Sequence, residues 1–151
     1  MKEVILFLLS FAFMELVSYV AHRYIYHGIG WALHKSHHEP RKGLFEWNDI
    51  FPMIFATLTI MLLLYAFSDP GRSELAAVGF GIMLYGLVYF FVHDLYIHRR
   101  ARWLRLRIPL LRRLKEAHAI HHRYGGEPFG LLFVIDPDRL RRLHIEEDEP
   151  V

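Results

Sequence analysis

Three apolar runs dictate what this chain can fold into. Residues 4–21 carry a single charge, Glu15, and residues 50–67 and 75–92 carry none. Each run is 18 residues long. A helix of that length reaches roughly 27 Å, close to the hydrocarbon thickness of a bilayer. The expected fold is an all-α integral membrane protein with about three transmembrane helices, near residues 4–26, 50–67 and 75–97. Short cytoplasmic or interfacial helices join them. Composition agrees: 54% apolar residues and a positive mean hydropathy are high for a soluble chain of 151 residues, a length that suits one membrane-embedded domain over 1–151. A signal peptide is the rival reading of the first run, but no small-x-small cleavage site follows it, and His22 and His27 continue it directly.

The punctuation between the runs is clear. Gly28 and Gly30 break the first helix, and residues 31–39 can form a short helix stopped by Pro40. A basic loop, 41–49, precedes the second run, which has Pro52 near a first-turn position. Ser68-Asp69-Pro70-Gly71-Arg72 is a tight turn, with Ser73 as N-cap of the third run. From 99 to 114 arginines alternate with Trp103, Leu104, Leu106, Ile108 and Leu110, which suits a segment at headgroup level or, equally, a solvated basic helix. Pro109 can open a helix to about Arg123, ended by Gly125-Gly126. Residues 129–135 are apolar but too short to span. Residues 139–143 read as one more basic turn, His144 as a surface histidine, and 144–151, with its acids at 146–149, as a solvated tail.

The chemistry lies in the histidines, ten of eleven of which fall in four clusters. Two are triples on the expected short helices 31–39 and 110–123: His34, His37, His38 and His118, His121, His122. Positions i, i+3 and i+4 of a helix lie within about 100° of one another, so each triple is expected to point one way. The other two are pairs five residues apart, His22 with His27 and His93 with His98. On a regular helix such a pair diverges by about 140° and flanks a groove, unless a local distortion brings the rings together. Helices one and three run parallel in a three-helix path, so all four clusters emerge on one side. Of the 18 lysines and arginines, Lys2 and Arg72 alone fall on the other side, which makes the histidine side cytoplasmic.

Imidazole suits iron, zinc, copper or nickel, and not magnesium or calcium. Ten imidazoles exceed what one six-coordinate ion accepts, so two metals are the natural count. The absence of cysteine removes thiolate-ligated haem and Cys-held clusters, and a net charge of +2 without a recognisable motif argues against nucleic acid. Two divalent ions on neutral ligands need compensating charge. Glu39, Glu46, Asp49, Asp94 and Glu116 are the acids close enough in sequence to accept the second ring N–H of a ligating histidine, although Glu116 suits ordinary pairing with arginine as well. Glu15, roughly 10 Å before His22 on nearly the same helix face, has either such a role, proton delivery, or a polar partner on another helix.

The run from Met14-Glu15 through Ala21-His22-Arg23, His27, His34-Lys35-Ser36-His37-His38-Glu39-Pro40-Arg41 and Phe45-Glu46-Trp47-Asn48-Asp49 resembles the non-haem di-iron β-carotene hydroxylases of the fatty-acid hydroxylase superfamily. Phe91-Val92-His93-Asp94, His98-Arg99-Arg100, Ala117-His118, His121-His122 and Pro128-Phe129-Gly130-Leu131 continue the likeness, which covers residues 14–137. Leu95-Tyr96 departs from it, where the family usually has Gly after His-Asp. The resemblance implies a membrane monooxygenase whose ten histidines hold two irons, with Asn48 joining the supporting acids, and in a crystal zinc can stand in for iron. It implies molecular oxygen as co-substrate, electrons from a ferredoxin-type donor, and hydroxylation at carbon 3 of a β-ionone ring, from β-carotene through cryptoxanthin to zeaxanthin, in a bacterial inner membrane. Such a substrate reaches the metals from the bilayer. Tyr85, Tyr89, Phe90 and Phe91 are candidates to line its channel, though such a stripe is more often packing. The alternatives are the same chemistry on a fatty acyl, sterol or keto-carotenoid substrate, or a non-enzymatic membrane metal or haem protein. The last is disfavoured because transport sites lie near the bilayer midplane, not at helix ends.

Overall fold

The computed structural model describes residues 1–148, and for 144–148 the backbone alone. The readings of His144 as a surface residue and of 149–151 as tail lie outside what is described. Every described element is helical. In order these are α1 (Lys2–Val20), a π-wound segment (Ala21–Ile29), α2 (Trp31–His38), a 3-10 turn (Trp47–Asp49), α3 (Ile50–Phe67), a second such turn (Pro70–Arg72), α4 (Ser73–Tyr89), a second π-wound segment (Phe90–Ile97), α5 (Pro109–Tyr124) and α6 (Pro137–Asp148). Three continuous helical stretches, Lys2–Ile29, Trp47–Phe67 and Pro70–Ile97, are long and apolar enough to cross a membrane. Their leucines and aromatics, Leu8, Phe13, Leu58, Leu64 and Leu87 among them, stay exposed. Water would penalise such a surface, and lipid does not.

The chain divides into two compact units, Met1–Phe90 and the part from Phe91 onward. In the first, α1 lies alongside α4 in a parallel register that holds over about three turns. Ser73 Oγ donates to Glu3 at 3.3 Å near one end, and Tyr85 Oη donates to Glu15 at 2.7 Å twelve residues further on, both at a separation of 70 residues. Gly81 makes this approach possible, since a Cβ there would collide with the Ser10 hydroxyl and the Phe7 carbonyl. The helix α3 packs on α4 from the other strand of a hairpin, with Leu63 against Gly79 and the rings of Phe67 and Phe80 6.0 Å apart. Its turn is tied chemically: Gly71 N donates to Asp69 at 2.8 Å, and the Arg72 guanidinium donates to the Tyr65 carbonyl at 3.0 Å at the negative end of α3.

In the second unit α5 and α6 pack through a small apolar core of Ala117, Ile120 and Leu140, with Ile135 against it. Here the structure corrects the sequence reading. Residues 139–143 are not an isolated basic turn, because they belong to the 12-residue α6, whose backbone continues through 146–148. The helix opens on Pro137, and Asp136 accepts from the Asp138 amide at 3.3 Å. Leu140, only 2% exposed, supplies the burial that holds it. Leu140, Leu143 and Ile145 among three arginines and four acids gave no strong stripe.

Candidate metal centre

In the first unit the wide pair closes because the backbone changes its winding. Hydrogen bonds reaching back five residues replace the usual four over Ala21–Ile29, as at Gly30 N to the Ile25 carbonyl, 2.7 Å. A residue and its fifth successor then lie one turn apart on one face. The His22 and His27 rings accordingly sit 5.0 Å apart, centroid to centroid. At Gly28 the backbone leaves helical geometry (φ −103°, ψ −116°), and α2 then presents His34 and His38 one turn apart. His34 Nε2 lies 3.1 Å from His22 Nε2 and 3.2 Å from His38 Nε2. The ligand nitrogens of His22, His27, His34 and His38 all fall within 4.8 Å of one another.

This spacing fits a metal. Two imidazole nitrogens about 2.1 Å from one ion and at right angles are about 3.0 Å apart. The tautomer of His34 fits as well. Its Nδ1 lies 2.7 Å from Asn48 Oδ1, an oxygen that only accepts, so the proton sits on Nδ1 and the Nε2 lone pair faces the cluster. Burial, opposed by the Asn48 hydrogen bond and reinforced by His38 and His27, pushes His34 down to about 4. The ring is neutral at neutral pH, as a ligand must be.

The second unit repeats the construction. His98 N donates to the His93 carbonyl at 2.9 Å across the π-wound Phe90–Ile97, and the two rings stand 4.6 Å apart. From α5, His118 brings its Nε2 to 2.9 Å from both His98 Nε2 and His122 Nε2. Burial, and then the neighbouring imidazoles, hold His118 well below the ordinary histidine range.

In each triple the first and last members meet through Nε2, at 3.2 Å for His34 and His38 and 2.9 Å for His118 and His122, and the middle one has a partner at Nδ1. His37 directs Nδ1 to Glu46 Oε2 at 3.2 Å, and His121, wholly buried, donates from Nδ1 to the Gly126 carbonyl at 2.5 Å. Such an Nδ1 contact, like that of His34 with Asn48, sets the tautomer of the ring. Both middle histidines keep an Nε2 lone pair available for a metal.

The supporting residues divide. Asn48 and Glu46 contact histidine rings, and Asp49 acts one step back by accepting from the Glu46 amide at 3.0 Å. Asp94 lies 3.6 Å from His93 Nδ1 and 3.2 Å from Arg100 Nε, so its charge is shared with a cation. Glu39 faces Lys35 at 3.6 Å, and Glu116 lies between Arg112 at 3.8 Å and Arg141 at 3.9 Å. Glu15 is buried and accepts from Tyr85, which is itself buried, edge-on to Phe11, while Phe90 and Phe91 are exposed. The identities of three partners were not legible: the Gly126 carbonyl on His121, Arg100 on Asp94, and Tyr85 as the polar residue that Glu15 meets on another helix. The first is main chain and leaves no signal. The last follows from the parallel register of α1 and α4.

The chain thus combines three helices long and apolar enough to cross a membrane with histidine clusters that could hold metal ions. The fatty acid hydroxylase family model matches residues 7–142, and the chain belongs to that family of hydroxylating enzymes. It is 44% identical over 127 residues to the beta-carotene hydroxylase of Pantoea ananas, covering 80% of this chain and 70% of that one. It is 42% identical over 142 residues to the beta-carotene hydroxylase of Pseudescherichia vulneris, covering 90% and 79%. It is also 40% identical over 137 residues to the chloroplastic beta-carotene 3-hydroxylase of Haematococcus lacustris, covering 86% of this chain and 42% of that one. No solved structure matches the chain.

Proposed function

We propose that the whole chain acts as one hydroxylase domain that oxidises carotenoids at carbon 3 of the β-ionone ring, converting β-carotene to cryptoxanthin and then zeaxanthin. The observation that carries this reading is the repeated spacing of 2.9 to 3.2 Å between histidine Nε2 atoms, in a chain 40–44% identical to proteins named for β-carotene. His22, His27, His34 and His38 would hold one iron and His93, His98, His118 and His122 a second, with His37 and His121 completing the two sets. The bound irons supply the oxygen chemistry: a ring C–H, molecular oxygen, two electrons and two protons become C–OH and water. The electrons come from a ferredoxin-type donor.

The protein's own residues bind and orient. Asn48 fixes His34 with its Nε2 lone pair toward the metal, and Glu46 accepts the Nδ1 proton of His37, which strengthens that ring as a donor and places negative charge near the ion. The exposed apolar faces of the three long helices let a substrate dissolved in lipid approach along the protein. The basic residues beyond the helix ends support a cytoplasmic location for the histidines, in a bacterial inner membrane.

The test is expression with iron and a competent reductase in a host that accumulates β-carotene, followed by mass analysis of the pigments. Products heavier by one and then two oxygen atoms, with hydroxyls at carbon 3, are expected. Unchanged β-carotene beside folded, iron-loaded protein overturns the substrate assignment.

A further inference from the structure

Between the third long helix and α5 the chain carries positive charge that no described acid neutralises. Arg102, Arg105 and Arg107 are exposed, and no described carboxylate pairs with them, whereas Arg100 is drawn in to Asp94 and Arg112 and Arg113 have acidic partners. Apolar side chains alternate with these arginines at the surface. Trp103 is 80% exposed, and Ile108 and Leu110 follow it into the open. Beside them Lys115 lies over the Tyr96 ring, held below the usual lysine range by burial and then by the charge of Arg99. Like charges are crowded here, a condition that a bound anion relieves.

The position of the segment identifies the anion. Arg100 N donates to the Asp94 carbonyl at 3.1 Å, and Tyr96 Oη donates to the Leu106 carbonyl at 3.4 Å. These contacts fold the segment back on the last turn of Pro70–Ile97, a helix long and apolar enough to cross a bilayer. It therefore stays at the level where that helix meets headgroups. Tryptophan favours this level, and arginines there reach lipid phosphates.

We propose that residues 99–110 form a docking surface for anionic phospholipid headgroups, with Arg102, Arg105 and Arg107 on the phosphates and Trp103 inserted between lipids. A soluble acidic protein is the rival occupant. It would use the arginines, but it gives no reason for Trp103, Ile108 and Leu110 to alternate with them on a tether this short from the helix end.

The test uses the full chain in nanodiscs of phosphatidylcholine, alone or mixed with phosphatidylglycerol. The readout is quenching by brominated lipid of the emission that Trp103→Phe removes. Brominated phosphatidylglycerol should quench that emission more strongly than brominated phosphatidylcholine, and salt should weaken the preference. Each of Arg102→Gln, Arg105→Gln and Arg107→Gln should reduce the preference roughly fivefold, while the matching lysine triple keeps it. Equal quenching by the two lipids in the unaltered protein overturns the proposal. So does a glutamine triple that keeps its lipid preference but loses the salt dependence of turnover with an acidic donor, which would assign the surface to that protein. Quenching needs neither iron nor turnover, so its outcome is independent of the hydroxylase assignment.

Discussion

In the first histidine cluster the middle ring of the triple, His37, donates a hydrogen bond from Nδ1 to the carboxylate of Glu46; in the second, the equivalent His121 donates to the backbone carbonyl of Gly126. Around these rings the two clusters share one plan, a π-wound pair followed by an i, i+4 pair whose first member, His34 or His118, lies at the centre of the nitrogen contacts. The difference is one of charge and of encoding. The middle ring of the first cluster is supported by an anionic side chain, and that of the second by the main chain at a helix end, while Asp94 lies beside His93 in the second cluster. The first can be tuned by substitution at a distance from the metal. The second can be disturbed mainly through the turn that sets its carbonyl.

The shared plan is broken most severely at its centre. His34→Ala removes the nitrogen 3.1 to 3.2 Å from two others, and His118→Ala does the same in the second cluster. Each variant should lose about half of the bound iron by elemental analysis and all detectable hydroxylation. Full iron content in either variant would remove that histidine from the ligand set.

Glu46 tests the contrast itself. Glu46→Ala should weaken iron binding about ten- to a hundredfold, and Glu46→Gln should recover part of it by restoring an acceptor without the charge. Competition with a chelator measures both. If glutamine is as good as glutamate, the negative charge has no role and the two clusters are equivalent.

Protons should act on iron-free protein in a defined window. The unfolded chain protonates histidine near 6.5, and folded His34 does so at about 4. Between those values the unfolded state holds more protons, so stability should fall as pH drops from 6.5 toward 4 and be unaffected by this ring above 6.5. Thermal melts across that range should show the slope, and His34→Gln should reduce it.

What the sequence revealed follows from which interactions are written in side chains at short range. The three long helices, their turns and the histidine clusters were legible because apolar length and histidine spacing are local. Whether His22 and His27 would diverge or meet stayed open, since winding that reaches back five residues leaves no composition signature. Which Nδ1 partner each middle histidine takes was not legible, because Glu46 and the Gly126 carbonyl reach His37 and His121 through turns outside the helices that carry them. The helix α6 was missed because Leu140 is the one buried residue among its described side chains that packs on α5.

The smallest expected effects separate the clusters again, through a glycine in each. At Gly30 a Cβ would lie 2.9 Å from the Ile25 carbonyl and 2.9 Å from the Phe51 ring, so Gly30→Ala must displace the π-wound segment that carries His27. At Gly125 a Cβ meets nothing within 4 Å, but the backbone is left-handed (φ 76°), and its amide caps α5 by donating to the His121 carbonyl at 2.7 Å. The cost of Gly125→Ala is therefore conformational, about 1 kcal/mol, or a few degrees of melting temperature. Gly125→Asn should cost less, because asparagine tolerates this conformation. Gly30→Ala should lower both stability and iron content, whereas Gly125→Ala should lower stability and leave iron bound. An equal loss of iron in both would mean that the Gly126 carbonyl, carried by this turn, holds His121 as firmly as Glu46 holds His37.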